Sequence, residues 1–165
     1  MERVGIRIEI PHFKDFNIKH ILTDYTGTLS FGEKLSLGVE DRLRRLKELV
    51  EITVISADSF GTAAGQLASI PLTPAILRQG SHHDKDKEAY VKGNNASQIA
   101  AFGNGNNDAL MLKAVKRAGG LAIAVDNGEG CSVKTICSAH IFITDVRNAL
   151  DLLLEPTRCK ATLRK

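Results

Sequence analysis

Three short segments of this chain carry side chains suited to handling phosphate: Asp24-Tyr-Thr-Gly-Thr28, Ser56, and Gly103-Asn-Gly-Asn-Asn-Asp108. Asp24 directly follows the apolar run Ile18–Thr23, and a turn with Thr26, Gly27 and Thr28 comes next. A carboxylate so placed can attack phosphorus, while N–H groups of the turn hold phosphate oxygens. Its plainer role is to cap the turn. Ser56 ends the run Glu51-Ile-Thr-Val-Ile; its hydroxyl can bond a phosphate oxygen or cap the next helix. In the 103–108 segment, glycines and short polar side chains can ligate a hard cation, with Asp108 supplying charge. A polar loop with a helix cap is the plainer reading. The segment is not a dinucleotide-binding fingerprint, because position 108 is Asp where that pattern needs Gly or Ala.

These segments need elements that hold them. Val4, Ile6, Ile8 and Ile10 alternate with polar residues, as in a half-exposed strand ended by Pro11. Residues 18–23 predict a second strand. Leu37, Leu43, Leu46, Leu49 and Val50 have helical spacing, and 51–56 reads as a buried strand. Asp58 or Ser59 can cap a helix to about Leu67, and Pro71 and Pro74 punctuate an extended piece ending near Leu77. Helices at 84–92, 107–117, 131–138 and 145–155 alternate with strands at 98–102, 121–125 and 140–144, and Pro156 stops the last helix. Such alternation implies an α/β fold, a three-layer Rossmann-like parallel sheet with helices on both faces, plus the N-terminal antiparallel strand. Sites in such sheets lie at the carboxyl ends of the strands, where the three segments fall. Nothing divides the 165 residues, so one domain is expected over 1–165.

Composition excludes other classes. No apolar run reaches the roughly 18 residues that span a bilayer, and the N-terminus lacks a signal-peptide core; the expected location is cytoplasmic. A net charge of +3 is too small to argue for nucleic acid, and the basic tail from Arg158 to Lys165 reads as a solvated end. Cys131, Cys137 and Cys159 lack metal-type spacing and read as reduced structural thiols. His82 and His83, being adjacent, need not face one site and read as surface loop.

In this order, with a Lys between the second and third, the segments resemble the motifs of the haloacid dehalogenase superfamily. Its first motif, Asp-x-Asp-Gly-Thr, is Asp24-Tyr-Thr26-Gly27-Thr28 here; its second is Ser56; its fourth, Gly-Asp-x-x-x-Asp, is Gly103 to Asp108. Thr26 in place of Asp is similar to the P-type ATPase phosphorylation motif, and the chain looks most like the small soluble P-type-ATPase-like proteins of prokaryotes. The resemblance implies an aspartyl-phosphate on Asp24 and Mg²⁺ held by Asp24, the Thr26 carbonyl, Asn104 and Asp108. Thr28, Ser56, Gly27 and Asn107 would meet the phosphate. Lys85, Lys87 and Lys92 all precede the fourth motif; the resemblance places the motif Lys near the start of its helix, which favours Lys87.

Two departures from the pattern bear on activity. Thr26 replaces the Asp that protonates the leaving group and then activates water, help worth about 10²–10⁴-fold. Asn104 replaces a metal-ligating Asp, which should weaken Mg²⁺ binding. The chain is therefore expected to be a slow phosphatase or phosphotransferase. The alternative is a catalytically weakened phosphate- or partner-binding regulatory module. A receiver-like domain is weaker, because 18–23 has no acidic residue. Only 32 positions separate Asp24 from Ser56 and 31 separate Ser56 from Lys87, which leaves no room for a cap domain. An open site implies a phosphorylated macromolecular substrate, or a small one roofed by a neighbouring copy in a homo-oligomer.

Overall fold

Six parallel strands form the frame of the molecule, a computed structural model that describes residues 2–57, 61–70, 72, 75–77 and 82–165. In chain order the sheet strands are β3 (His20–Thr23), β6 (Glu51–Ser56), β7 (Ala75–Ile76), β8 (Ile99–Gly103), β9 (Leu121–Val125) and β10 (Ile141–Ile143). Across the sheet the order is β10-β9-β8-β3-β6-β7. The chain builds outward from β3 on one side, through β6 and β7, then returns to β8 on the other. This reversal is the switch point at which α/β sheets open a crevice. Thr23 stands opposite both Val54 and Phe102, so Asp24, Ser56 and Gly103 leave the sheet at the same end.

The sheet is apolar on both faces because both are covered. Ile21, Val54, Phe102 and Ile123 join one core cluster; Leu22, Ile55, Ala101 and Ala122 join the other. On the first face lie α1 (Val39–Leu49) and α6 (Val146–Leu154); on the second lie α3 (His83–Lys92), α4 (Ala109–Ala118) and α5 (Val133–Cys137). Asp145 caps α6 by accepting the Arg147 amide hydrogen at 2.8 Å. No helix among the described residues is long and apolar enough to cross a membrane.

Several expectations need adjustment. The run 18–23 is two strands: β2 (Asp15–Ile18) pairs antiparallel with β1 (Ile6–Glu9), and β3 begins after Lys19. The change of partner occurs at Lys19, whose amide donates to Gln98 and whose carbonyl accepts from Glu51. The first strand therefore forms its own small sheet with 15–18. Leu37 is 88% exposed, because the helix starts two residues later. The basic tail folds as α7 (Pro156–Leu163): Pro156 ends α6 and occupies the first turn of the next helix, where its missing N–H costs nothing. Cys159 on α7 is buried, and all three cysteines are free thiols. A hairpin, β4 (Ser30–Phe31) with β5 (Lys34–Leu35), follows the Asp24 turn. With α1 it fills the space to β6, and no cap domain is inserted there. Between β6 and β7 the described part holds only α2 (Thr62–Gln66); its expected caps Asp58 and Ser59, like Pro71 and Pro74, lie outside the described residues.

Leu43 of α1 is fully buried in the first core. Leu43→Ala is expected to cost about 2–5 kcal/mol, read as a lower urea midpoint with an unchanged m-value.

Candidate active site

Asp24 is held from below by the sheet. Its amide donates to the Phe102 carbonyl at 3.1 Å, carrying the β3–β8 pairing one residue past the strand. The chain then winds around one atom: the Tyr25 carbonyl accepts the amides of Thr28, Leu29 and Ser30 at 3.2, 2.9 and 3.1 Å, and the Ser30 hydroxyl at 3.2 Å. Gly27 turns this coil with φ +73°. A Cβ there would overlap the Asn104 side-chain amide, so glycine is required by both conformation and space. The buried Tyr25 donates its hydroxyl to the Glu33 carbonyl at 2.9 Å, tying the β4–β5 hairpin to the turn.

Lys87 reaches this point from α3. Its side chain is only 1% exposed, and Nζ donates to Asp24 Oδ1 at 2.9 Å and to Asp108 Oδ1 at 2.6 Å. The other Asp108 oxygen accepts the backbone amides of Asn104 and Gly105, both at 3.0 Å. Gly103 must be small, since a Cβ would overlap the Asp108 side chain. Lys85 and Lys92 are exposed, and Lys92 pairs with Glu88 on the surface. Geometry therefore selects Lys87 among the three candidates.

The electrostatics of the trio are uneven. Burial, and after it the nearby Asp108 carboxylate, raise the Asp24 pKa to about 6 against the opposing pull of Lys87. Burial also works against charge on Lys87, but the two carboxylates outweigh it and push its pKa above the ordinary lysine value. Lys87 is thus a fixed cation, and Asp24 is the group of the pair that titrates near neutrality.

A second cluster closes the mouth of the loops. Asn104 Oδ1 accepts the Thr28 hydroxyl at 3.0 Å, its Nδ2 donates to the Gly130 carbonyl at 3.3 Å, and its carbonyl accepts the Ser132 amide at 2.7 Å. Thr28 is fully buried, so in this arrangement its hydroxyl serves Asn104. Ser56 is buried at the end of β6, while Thr26 and Asn107 are exposed on their loops. His82 is exposed and precedes α3. The structure thus joins Asp24, Lys87 and Asp108 directly, and Thr28 to Asn104.

The loop after β9 was missed in the sequence. Asp126 Oδ1 accepts the amides of Gly128 and Gly130, both at 2.9 Å, which presents the Gly130 carbonyl to Asn104. Asn127 Nδ2 donates to the Ser30 carbonyl at 3.2 Å and the Ser36 hydroxyl at 2.7 Å, holding the hairpin. The signal was present as Asp126-Asn-Gly-Glu-Gly130 following an apolar strand. Among the described residues no three Asp, Glu, His or Cys side chains converge as a metal-ligand set. With both Asp108 oxygens engaged, Asp24 is the carboxylate best placed for a hard cation. Such an ion would complete its shell with backbone carbonyls and water, as Mg²⁺ commonly does.

No protein-family model matches the chain. Among solved structures it is similar to a protein from Legionella pneumophila assigned to the subfamily III A hydrolases of the haloacid dehalogenase superfamily, with TM-score 0.65 and 19% identity over 88% of this chain and 87% of that one. It is also similar to the cobalt-bound deoxy-D-mannose-octulosonate 8-phosphate phosphatase of Haemophilus influenzae, with TM-score 0.62 and 15% identity over 90% and 94% of the two chains. The 3-deoxy-D-manno-octulosonate 8-phosphate phosphatase of Moraxella catarrhalis, in complex with a magnesium ion, a phosphate ion and a KDO molecule, gives 0.59 and 18% over 87% and 90%. In sequence, 77 residues, or 47% of this chain, are 47% identical to the uncharacterized protein MJ0073 of Methanocaldococcus jannaschii, and the match spans 78% of that protein. The chain therefore belongs to one family with this archaeal protein, and its fold is that of the haloacid dehalogenase superfamily.

Proposed function

We propose that the protein is a Mg²⁺-dependent phosphohydrolase or phosphotransferase acting on phosphate monoesters through an aspartyl-phosphate at Asp24. The observation that carries this reading is the buried Lys87 ammonium shared by Asp24 and Asp108 at the strand ends. A buried ion cluster costs desolvation that an apolar replacement would avoid, and phosphoryl transfer is a use for it. The magnesium and phosphate ions bound to the similar Moraxella phosphatase lend the reading support. Mg²⁺, held by the Asp24 carboxylate and the Thr26 carbonyl, would neutralise phosphoryl charge. Asp24 attacks phosphorus, and the bond from phosphorus to the ester oxygen breaks. The departing alkoxide takes its proton from water, because the Thr26 hydroxyl is too weak an acid to replace the carboxylic acid of the pattern. Water then attacks the aspartyl-phosphate, releasing phosphate and restoring the carboxylate. Lys87 offsets negative charge on Asp24 throughout.

A second reading, a phosphate- or partner-binding module with little turnover, draws on one observation. The Thr28 hydroxyl and the Asn104 amide are spent on each other rather than left open for phosphate and metal. Thr26→Asp restores an acid–base group on an exposed position, and Asn104→Asp restores a charge for the metal. The double variant is expected to raise aryl-phosphate turnover by at least about tenfold and to saturate at lower Mg²⁺. No gain would favour the binding module.

Asp24→Asn is expected to abolish both turnover and capture of beryllofluoride with Mg²⁺. Full phosphatase activity in that variant would remove Asp24 as the nucleophile.

The pH dependence follows from Asp24. Attack needs the ionised carboxylate, so kcat/KM should rise with pH to a plateau above about 6. More Mg²⁺ should move this limb to lower pH, since the cation favours the charged form. Stability runs oppositely: between the ordinary 3.8 and about 6, native Asp24 holds a proton that the unfolded chain has released. Its contribution to stability therefore falls as pH rises through that window. A limb insensitive to Mg²⁺ would separate Asp24 from the metal.

A further inference from the structure

Lys113, Lys116, Arg117 and Lys134 come from two helices but line one groove of about 610 Å³ between α4 and α5. No Asp or Glu lines it, and its lining also includes Leu110 and Cys137. Four cations in this one place exceed the net charge of +3 carried by the whole chain. None of the four takes part in an ion pair among the described residues. Lys116 donates to the Ala139 carbonyl at 2.8 Å, which fixes one cation at the groove edge. The helix dipole accounts for Lys116 and Arg117 in the last turn of α4. Lys134 likewise falls in the last turn of the short α5, but the dipole does not account for Lys113, a turn earlier on α4, nor for the convergence of cations from two helices on one groove. Gathered like charges repel, and a bound polyanion is what relieves them.

The groove also restricts what that anion is. Its volume lies within the roughly 300–1,000 Å³ of small-molecule sites. Its lining has no aromatic side chain, so it lacks the stacking platforms on which single-stranded nucleic acids rest. We propose that the groove between α4 and α5 is a second anion site, distinct from the Asp24, Lys87 and Asp108 cluster, that holds a small, multiply phosphorylated ligand. The phosphates sit against Lys113, Arg117 and Lys134, and the lining at Leu110 and Cys137 faces the uncharged part of the ligand. This site does not depend on catalysis at Asp24.

Inorganic triphosphate, titrated into the full chain by calorimetry in low salt with EDTA, tests the proposal, with amide NMR shifts locating the bound anion. One-to-one binding is expected, with shifts at 110–117 and 134–138 and weakening as salt approaches about 0.1 M. Asp24→Asn should bind as the native chain does. Lys113→Glu with Arg117→Glu should weaken binding by roughly tenfold or more, and Lys134→Gln alone by a few-fold. All these positions are exposed, and an unchanged melting temperature without ligand certifies the fold; Lys134→Gln carries the test if the double variant melts early. The proposal is overturned if triphosphate does not bind at millimolar concentration or if the groove variants bind it undiminished. It is equally overturned if Asp24→Asn loses binding, which would place the anion at Asp24. A single-stranded oligonucleotide binding about a hundredfold tighter than triphosphate would replace the small ligand by nucleic acid.

Discussion

The Lys87 ammonium, shared by two carboxylates in the interior, is the interaction around which the rest is arranged. Bringing three charges out of water costs several kcal/mol per ion, so each must be met in full. Lys87 meets two carboxylate oxygens, and the remaining Asp108 oxygen meets two backbone amides. This requirement ties three distant stretches together: the end of β3, the first half of α3 and the loop after β8. If Lys87 were lost, two like charges would face each other in the interior with no counterion. If either carboxylate were lost, the ammonium would keep one partner. The cluster is therefore one unit, and its tolerance for change is low at Gly103, where any side chain would displace Asp108.

Around that unit the loops are held by neutral polar contacts. Asn104 bonds Thr28 on one side and Gly130 on the other, Asp126 shapes the loop that carries Gly130, and Asn127 holds the hairpin. Each bond is modest, about 0.5–1.5 kcal/mol net, but together they join the loops after β3, β8 and β9 into one rim. The same Asn104 that departs from the superfamily pattern is the centre of this rim. A carboxylate at 104 would exchange the donor facing Gly130 for an acceptor, so metal affinity and rim closure compete at one position.

Charge is sorted on either side of the fourth motif. The Asp24, Lys87 and Asp108 trio is net negative when ionised and lies in the interior, while α4, which starts immediately after Asp108, carries cations on its outer face. A single helix thus separates an acidic interior from a cationic groove.

Much of this was legible in the chain. Strands 51–56 and 121–125 appear with the predicted bounds, and β8 differs by one residue at each end. Their apolar runs are short and bounded by polar or glycine residues, a length that favours buried strands over helices. The placement of Asp24, Ser56 and Gly103 at one end follows from strand direction alone, since parallel strands share their carboxyl ends. Other features depended on neighbours brought from elsewhere in the chain. Lys85, Lys87 and Lys92 share one polar stretch, and only the packing of α3 beside α4 decides that Lys87 points inward. The break at Lys19 is set by Gln98 and Glu51 across the sheet, and the hairpin at 30–35 by Asn127 and Tyr25. Pro156 reads as a stop, yet it also starts α7, which is worth forming because Cys159 reaches the core. Likewise Lys113 and Lys134 are scattered charges until α4 and α5 pack together. Periodicity records which side chains seek burial; it does not record which distant residue will meet them, and the ion cluster and the cationic groove are made entirely of such meetings.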